Sequence, residues 1–564
     1  MKTNRIIFLL IAFSLSLFGC SDDDTLGKTP ELGVGERTLS FDEVTTQTLA
    51  IEANGHWTAE LIRDTGEFIV TPTEGVGNGE VTITLNRSKA EAIRGYLKVT
   101  YTDGKDQGLE VAKSVKLVAN KLNTEVLPRS GMIGGLCKSQ EIQVNIPGKW
   151  QATLSDDTWF TLDKSEGEGK DVIHVLAKEK VSTGRAIDTG EPVELVIFDK
   201  DMPRVKYTVT LTRQQSGYEY GKYRTLQRAS RGKGINIVLV CTFFLEEDLL
   251  PGGRLEQACE IIAQQLFALE PYASHRNFFN LYAVPYPNEY GVDLFGKQAD
   301  RHTYETPIGT YHGMESTSIG GSDMFMVNKT QLEAVYRYAY DNTPVFNEGK
   351  LQEMLVMSVV CSDDRAFGVK AQANAVDRNP NCGIAHACLP AFGGNMVSMM
   401  GHELMGHGFG KFHENYYSID ETWPEKEYES FREQQRKFQI YLDVELTDNP
   451  DEFVNRAWAE LRKMRYRNVR IEEGAITYNH GAWRSSLINV MGKDAGNYPN
   501  SGVKDNNYYS PVQRELIMRY IYELAGMKDH YSLQTFLDYD VINEELDRLH
   551  TPDPEYYPDT APFE

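Results

Sequence analysis

Long apolar runs are rare in this chain. Beyond the first twenty residues no stretch is long enough to span a bilayer, which excludes a helical membrane-embedded body. Cysteine is rare as well, with seven in 564 residues and no Cys-x-x-Cys zinc spacing. Positive charge is in deficit: 58 Lys and Arg face 81 Asp and Glu, for a net charge of −23. A surface this acidic argues against nucleic acid or anionic lipid as a partner, because both require a basic face. What remains is an ordinary globular composition, 41% hydrophobic and 25% charged, with length for three or four domains. The six cysteines after Cys20 are expected to be buried thiols; a pair using Cys382 or Cys388 stays open.

One stretch concentrates the metal-binding side chains. Gly401–Tyr416 reads GHELMGHGFGKFHENY and holds His402, Glu403, His407, His413 and Glu414 within thirteen residues. The apolar Ala391–Met400 before it predicts a buried helix carrying zinc ligands, then a turn permitted by Gly410, then a third ligand. The spacing is H-E-x-x-x-H, one residue longer than H-E-x-x-H. In a regular α-helix residues five apart lie about 140° apart, so both imidazoles could not reach one ion. A π-type turn within His402–His407 restores a common face, and Gly406 lowers the cost of that distortion. The third ligand is left open between His413, at metzincin-like spacing from Gly410, and Glu414, which completes a His₂Glu set. Glu403 is the candidate general base.

The run GHGFGK…ENY after a His-Glu pair resembles the IgA peptidases, a family of bacterial surface and secreted zinc metallopeptidases. The resemblance maps the family's acidic third ligand onto Glu414. It extends over Ile237–Leu249, Glu270-Pro271-Tyr272 and Phe279–Val284. Cys241-Thr242-Phe243 replaces the family's usual Gly-Asp-Gly. The resemblance implies a zincin-like α/β (α+β) domain, zinc as cofactor, and a protein or glycoprotein substrate from host or diet, with immunoglobulin A one candidate.

The chain opens with MKTNRIIFLLIAFSLSLFGC, a positive start and an apolar run. It is read as residues 1–20 of a lipoprotein signal peptide, with Cys20 as lipid anchor. The acidic Ser21–Asp24 resembles the export signal of surface lipoproteins in gut bacteria, so an exported, outer-membrane-anchored, cell-surface location is expected. The membrane is met only through the lipid on Cys20, and the protein is expected to be a monomer. Residues 21–31 read as linker.

Two segments then repeat. Gly55–Leu61 (GHWTAEL) returns as Gly148–Leu154 (GKWQATL), and Thr73-Glu74-Gly75-x-Gly77 returns as Ser165-Glu166-Gly167-x-Gly169. The offset of 92–93 residues is that of a duplicated domain rather than a solenoid. Period-2 runs such as Val81–Leu85 and Val193–Ile197 give each copy the pattern of an immunoglobulin-like sandwich, with Trp57 and Trp150 as core residues. The pair resembles BACON-type modules of exported Bacteroidetes proteins and is read chiefly as a stalk.

The expected fold is therefore multidomain: two all-β immunoglobulin-like sandwiches at 32–121 and 122–216, a zincin-like metallopeptidase domain at 218–550, and an acidic, mobile tail at 551–564. Strands are expected at Gly234–Phe244, Asn280–Pro287, Leu355–Cys361 and Gly383–Leu389; the resemblance to zincins implies that the last, just before the metal helix, is the substrate-binding sheet edge. His302, His312 and His386 are read as loop histidines. Lys426–Leu442 is read as a solvated charged helix. Tyr416, Tyr478 and His480 are candidates to steady an oxyanion, and Met491 resembles the methionine beneath the zinc of Met-turn peptidases. The rival readings are an inactive zincin-shaped protein and a glycan-binding surface lipoprotein.

Overall fold

The computed structural model describes residues 29–559 except 43, 65, 104–110, 135–136, 179–191, 215–216, 297–303, 313–325, 328, 364–369, 374–378 and 494. The signal peptide, Cys20, the acidic tether and His302 lie outside the described residues. The chain divides into two units, Met1–Asn123 with Met202–Val205, and Thr124–Asp201 with Lys206–Glu564.

The first unit is a sandwich of two sheets. One orders Leu32–Val34, Thr46–Ala53, Gly79–Leu85 and Phe68–Thr71; the other orders Thr38–Ser40, Val111–Ala119, Ile93–Tyr101, His56–Ile62 and Glu74–Val76. Alternation decides which side chains meet between them: Val81, Ile83 and Leu85 are buried while their neighbours are not. Trp57 joins them in the core. It pairs in register with Gly75, whose missing Cβ leaves the space the indole fills.

The second unit begins with the repeat of this pattern. Here Ser139–Leu154 runs as one sixteen-residue strand, bulged between Ile146 and Lys149, where the first copy breaks at Asn54-Gly55. That continuous strand joins what were two sheets into one of seven strands. Trp150 is fully buried and pairs with Gly167, as Trp57 does with Gly75. The glycine-containing repeat seen in the sequence is thus the seat of the core indole. Hydrogen bonds fasten this sandwich to the next part of the unit: Gln214 donates to the Thr225 carbonyl at 2.9 Å and accepts from its N–H at 2.7 Å, and Ser230 reaches Glu141 at 3.1 Å.

The rest of the unit is built on a six-stranded sheet ordered Arg224–Gln227, Phe279–Pro285, Ile235–Thr242, Met354–Val360, Ala385–Pro390 and Lys370–Ala373. The middle four strands are parallel and the two edges antiparallel. Every residue of the middle four is buried, as continuous apolar strands require when both faces are covered. Helices Arg254–Gln265 and Leu332–Asp341 make the crossovers. Two expectations are corrected. The edge next to the metal-motif segment is Lys370–Ala373, not Ala385–Pro390, because a short return strand pairs outside it. His386 lies on Ala385–Pro390 rather than in a loop, fully buried with Nε2 2.8 Å from Ser358 Oγ.

A second, small sheet brings Thr477–Arg484 together with Tyr417–Thr422, Val444–Glu445 and Glu472–Ala475. Helix Pro511–Leu524, capped by Ser510 and Gln513, is buried on nearly all sides. Within it the fully buried Arg514 binds Asp540 at 2.7 Å and Asp547 at 2.9 Å, tying the last helices down. The acidic tail is not loose where it is described. Asp559 pairs with the buried Arg462 at 2.5 Å, and the Tyr557 carbonyl accepts from Arg470. Those buried guanidiniums need acceptors, and the tail supplies them. The six described cysteines are buried thiols.

Candidate metal centre

The α-helix Met396–Met400 leads into the motif, which opens as a π-helix over Gly401–Gly410. Hydrogen bonding five residues apart brings residues with that spacing onto one face. The rings of His402 and His407 accordingly lie 4.7 Å apart, edge to face. Gly406 is required by space rather than by backbone angle. A Cβ there would run into the Met491 sulfur and the Gly401 carbonyl. The helix ends at Gly410, whose missing Cβ makes room for the Phe412 ring, and the next residue, Lys411, takes the left-handed conformation at φ 56°.

Each imidazole is oriented from behind. His402 Nδ1 donates to the Val490 carbonyl at 2.8 Å, and His407 Nδ1 to the Phe412 carbonyl at 2.9 Å. A ring whose Nδ1 carries the proton presents an unprotonated Nε2 in its neutral state, the arrangement in which a second nitrogen binds metal. Both Nε2 atoms face Glu414, at 3.5 Å from Oε2 for His402 and 3.3 Å from Oε1 for His407. The three ligand atoms all lie within 4.8 Å of one another. About a fifth of each side chain stays exposed (21–23%), so the cluster is partly open.

The cluster passes a test of fit. Ligand atoms on a tetrahedral zinc at about 2.0–2.1 Å stand about 3.3 Å apart, close to both His–Glu separations. Glu414 Oε2 is buried with no hydrogen-bond partner, a costly state unless something else satisfies it. The electrostatics agree. Burial alone would lower the His407 pKa, but the Glu414 carboxylate outweighs it and holds the ring up at about 9. His402 is raised for the same reason. Burial would raise Glu414, yet the two imidazoles hold it far below the usual carboxylate range.

The remaining candidates separate clearly. His413 does not join the set. Its ring packs against Tyr441 and Phe431, its Nδ1 accepts from the Glu414 N–H at 2.7 Å, and burial lowers its pKa to about 4. The acceptor nitrogen is spent on the next residue's backbone, and of the two candidates it is Glu414 that faces the imidazoles. Glu403 is close enough for its charge to be felt at His402, His407 and Tyr416. Tyr416 stands beside Glu414; burial and that carboxylate push its pKa up to about 12. Tyr478 instead packs edge-on against Trp423 at 5.1 Å, and His480 turns to Glu473 at 3.3 Å. Met491 is fully buried beneath the helix. The carbonyls of Val490 and Phe412 went unnoticed in the sequence, since a backbone acceptor leaves no residue-type signal.

No family model and no curated protein matches this chain. Among solved structures it is similar to a PapD-like domain of human CEP192, at 14% identity over 20% of this chain and 100% of that one, with a TM-score of 0.15. It is also similar to the periplasmic chaperone SfaE, at 12% identity over 32% and 99% with a TM-score of 0.15. The human desmocollin-1 ectodomain shows 10% identity over 35% and 42%, with a TM-score of 0.18. Likenesses this distant carry no argument.

Proposed function

We propose that this chain is a zinc-dependent peptide hydrolase of zincin type, related to the IgA peptidases and carried by an exported, lipid-anchored protein. One observation carries the reading: His402 Nε2, His407 Nε2 and a carboxylate with an unsatisfied oxygen, Glu414, converge in a partly open cluster. A largely parallel sheet ending in an antiparallel edge strand beside the metal-motif segment is consistent with it.

His402, His407 and Glu414 are the ligands in this reading. Zinc, when bound, supplies a Lewis acid for the scissile carbonyl and lowers the pKa of water. The chain supplies the rest. Glu403 accepts the proton from the attacking water as its oxygen bonds to the carbonyl carbon. It returns that proton to the nitrogen as the C–N bond breaks, releasing a carboxylate and an amine. Tyr416, neutral below about pH 12, offers its O–H to the developing oxyanion. The extended substrate lies along Lys370–Ala373, adding one antiparallel strand to the sheet edge.

Metal analysis of the purified full-length chain, with cleavage of a mixed protein panel, tests the reading. The expected result is about one zinc per chain and cleavage that a chelator abolishes and zinc restores. A chain without zinc that cleaves nothing overturns it.

A further inference from the structure

The third ligand is held from a place the motif does not reach. Asp443 is fully buried, and its two oxygens straddle Glu414. Oδ1 accepts from the backbone N–H of His413 at 3.1 Å, and Oδ2 from the side-chain amide of Asn415 at 2.7 Å. One carboxylate thus grips the residue before the ligand and the residue after it.

Asn415 is fully buried and saturated with partners. Its N–H donates to the Met491 carbonyl at 2.9 Å, and its own carbonyl accepts from Arg484 at 2.5 Å. Its Oδ1 accepts from Asn489 at 3.2 Å and Gln513 at 3.3 Å. Its Nδ2 also donates to the His413 carbonyl at 3.1 Å. Four of these six bonds are made by the side-chain amide, which a solvated side chain would not need. A short polar side chain buried this way fixes its own backbone, and with it the residue beside it. Because the Met491 carbonyl takes Asn415 while the Val490 carbonyl takes His402, adjacent peptides brace the first ligand and the third together.

We infer that Asn415 and Asp443 are positioning residues that set the Glu414 carboxylate over the two imidazoles. The inference rests on the zinc reading above. Both act through Glu414.

Zinc affinity of the full-length chain, measured by competition with a chromogenic chelator, tests this in a double-mutant cycle. Wild type, Asn415→Ala, Glu414→Ala and the double variant are compared. Loss of an outer partner of a metal ligand costs about 10–100-fold in affinity, and that loss is expected for Asn415→Ala. In the Glu414→Ala background the same change is expected to cost less than about threefold, since the group it positions is gone. Asp443→Asn, nearly isosteric, is expected to follow the same pattern and guards against a folding defect. An equal loss in both backgrounds, or unchanged affinity in Asn415→Ala and Asp443→Asn, overturns the inference while leaving the metal centre intact. A wild-type chain that binds no zinc removes the centre and the clamp with it.

Discussion

Met491 packs its sulfur against Gly406, the residue just before the second imidazole, and leaves no room between them for a methyl group. The π-helix and the segment beneath it therefore fit only because that position lacks a side chain.

Gly406→Ala tests this directly. Overpacking of a filled core costs about 1–3 kcal/mol, and here the strain falls on the turn that aligns the imidazoles. The expected outcome is a lower melting temperature and zinc affinity at least about tenfold weaker. Adding Met491→Ala, which opens the space, is expected to restore part of both. Recovery of neither would place the defect elsewhere.

The ligand assignment separates two neighbours. Glu414→Ala is expected to strip the purified chain of most of its zinc. His413→Gln is expected to keep it near one per chain, because that ring is committed to Phe431, Tyr441 and the Glu414 N–H. Zinc content by elemental analysis decides, and the opposite pattern would return the site to His413.

Glu403→Gln keeps the size of the side chain and removes its basicity. Zinc content is expected to stay at the wild-type level while peptide hydrolysis falls by about 10²–10⁴-fold, the usual worth of a general base. Full turnover in this variant would remove Glu403 from that role.

Glu445 gives a pH dependence away from the ligands. It is fully buried, with Oε1 taking the Asn455 N–H at 2.8 Å and Oε2 without a partner. Burial pushes its pKa from 4.5 up to about 7. Between those values the folded chain holds a proton that the unfolded chain has lost, so stability falls as pH rises. The full effect is about 3 kcal/mol, complete above about pH 7. Relative to wild type, Glu445→Gln is expected to gain stability from about pH 5 to about pH 7 and to level off above it in thermal melts. Parallel curves for the two proteins would contradict the assignment.

Much of this site is legible in the residues themselves. The extra residue between His402 and His407 demands a π-type turn, and one is present. The Trp-and-Gly repeat marks two related β-domains, because an indole needs a glycine opposite it. Other features carry no local signal. Asp443 lies thirty residues after His413, just past the segment read as a solvated helix, and only tertiary packing brings it to Asn415. That Lys411, a residue other than glycine, takes the left-handed angle after Gly410 also leaves no residue-type signal. The edge strand Lys370–Ala373 is four residues long in a polar region, too short to show a period.

Diffraction at the zinc absorption edge from zinc-loaded crystals tests the central claim most directly. The account expects one anomalous peak about 2.0–2.2 Å from His402 Nε2, His407 Nε2 and a Glu414 carboxylate oxygen. No peak at that cluster, or a peak on His413 instead, would contradict it.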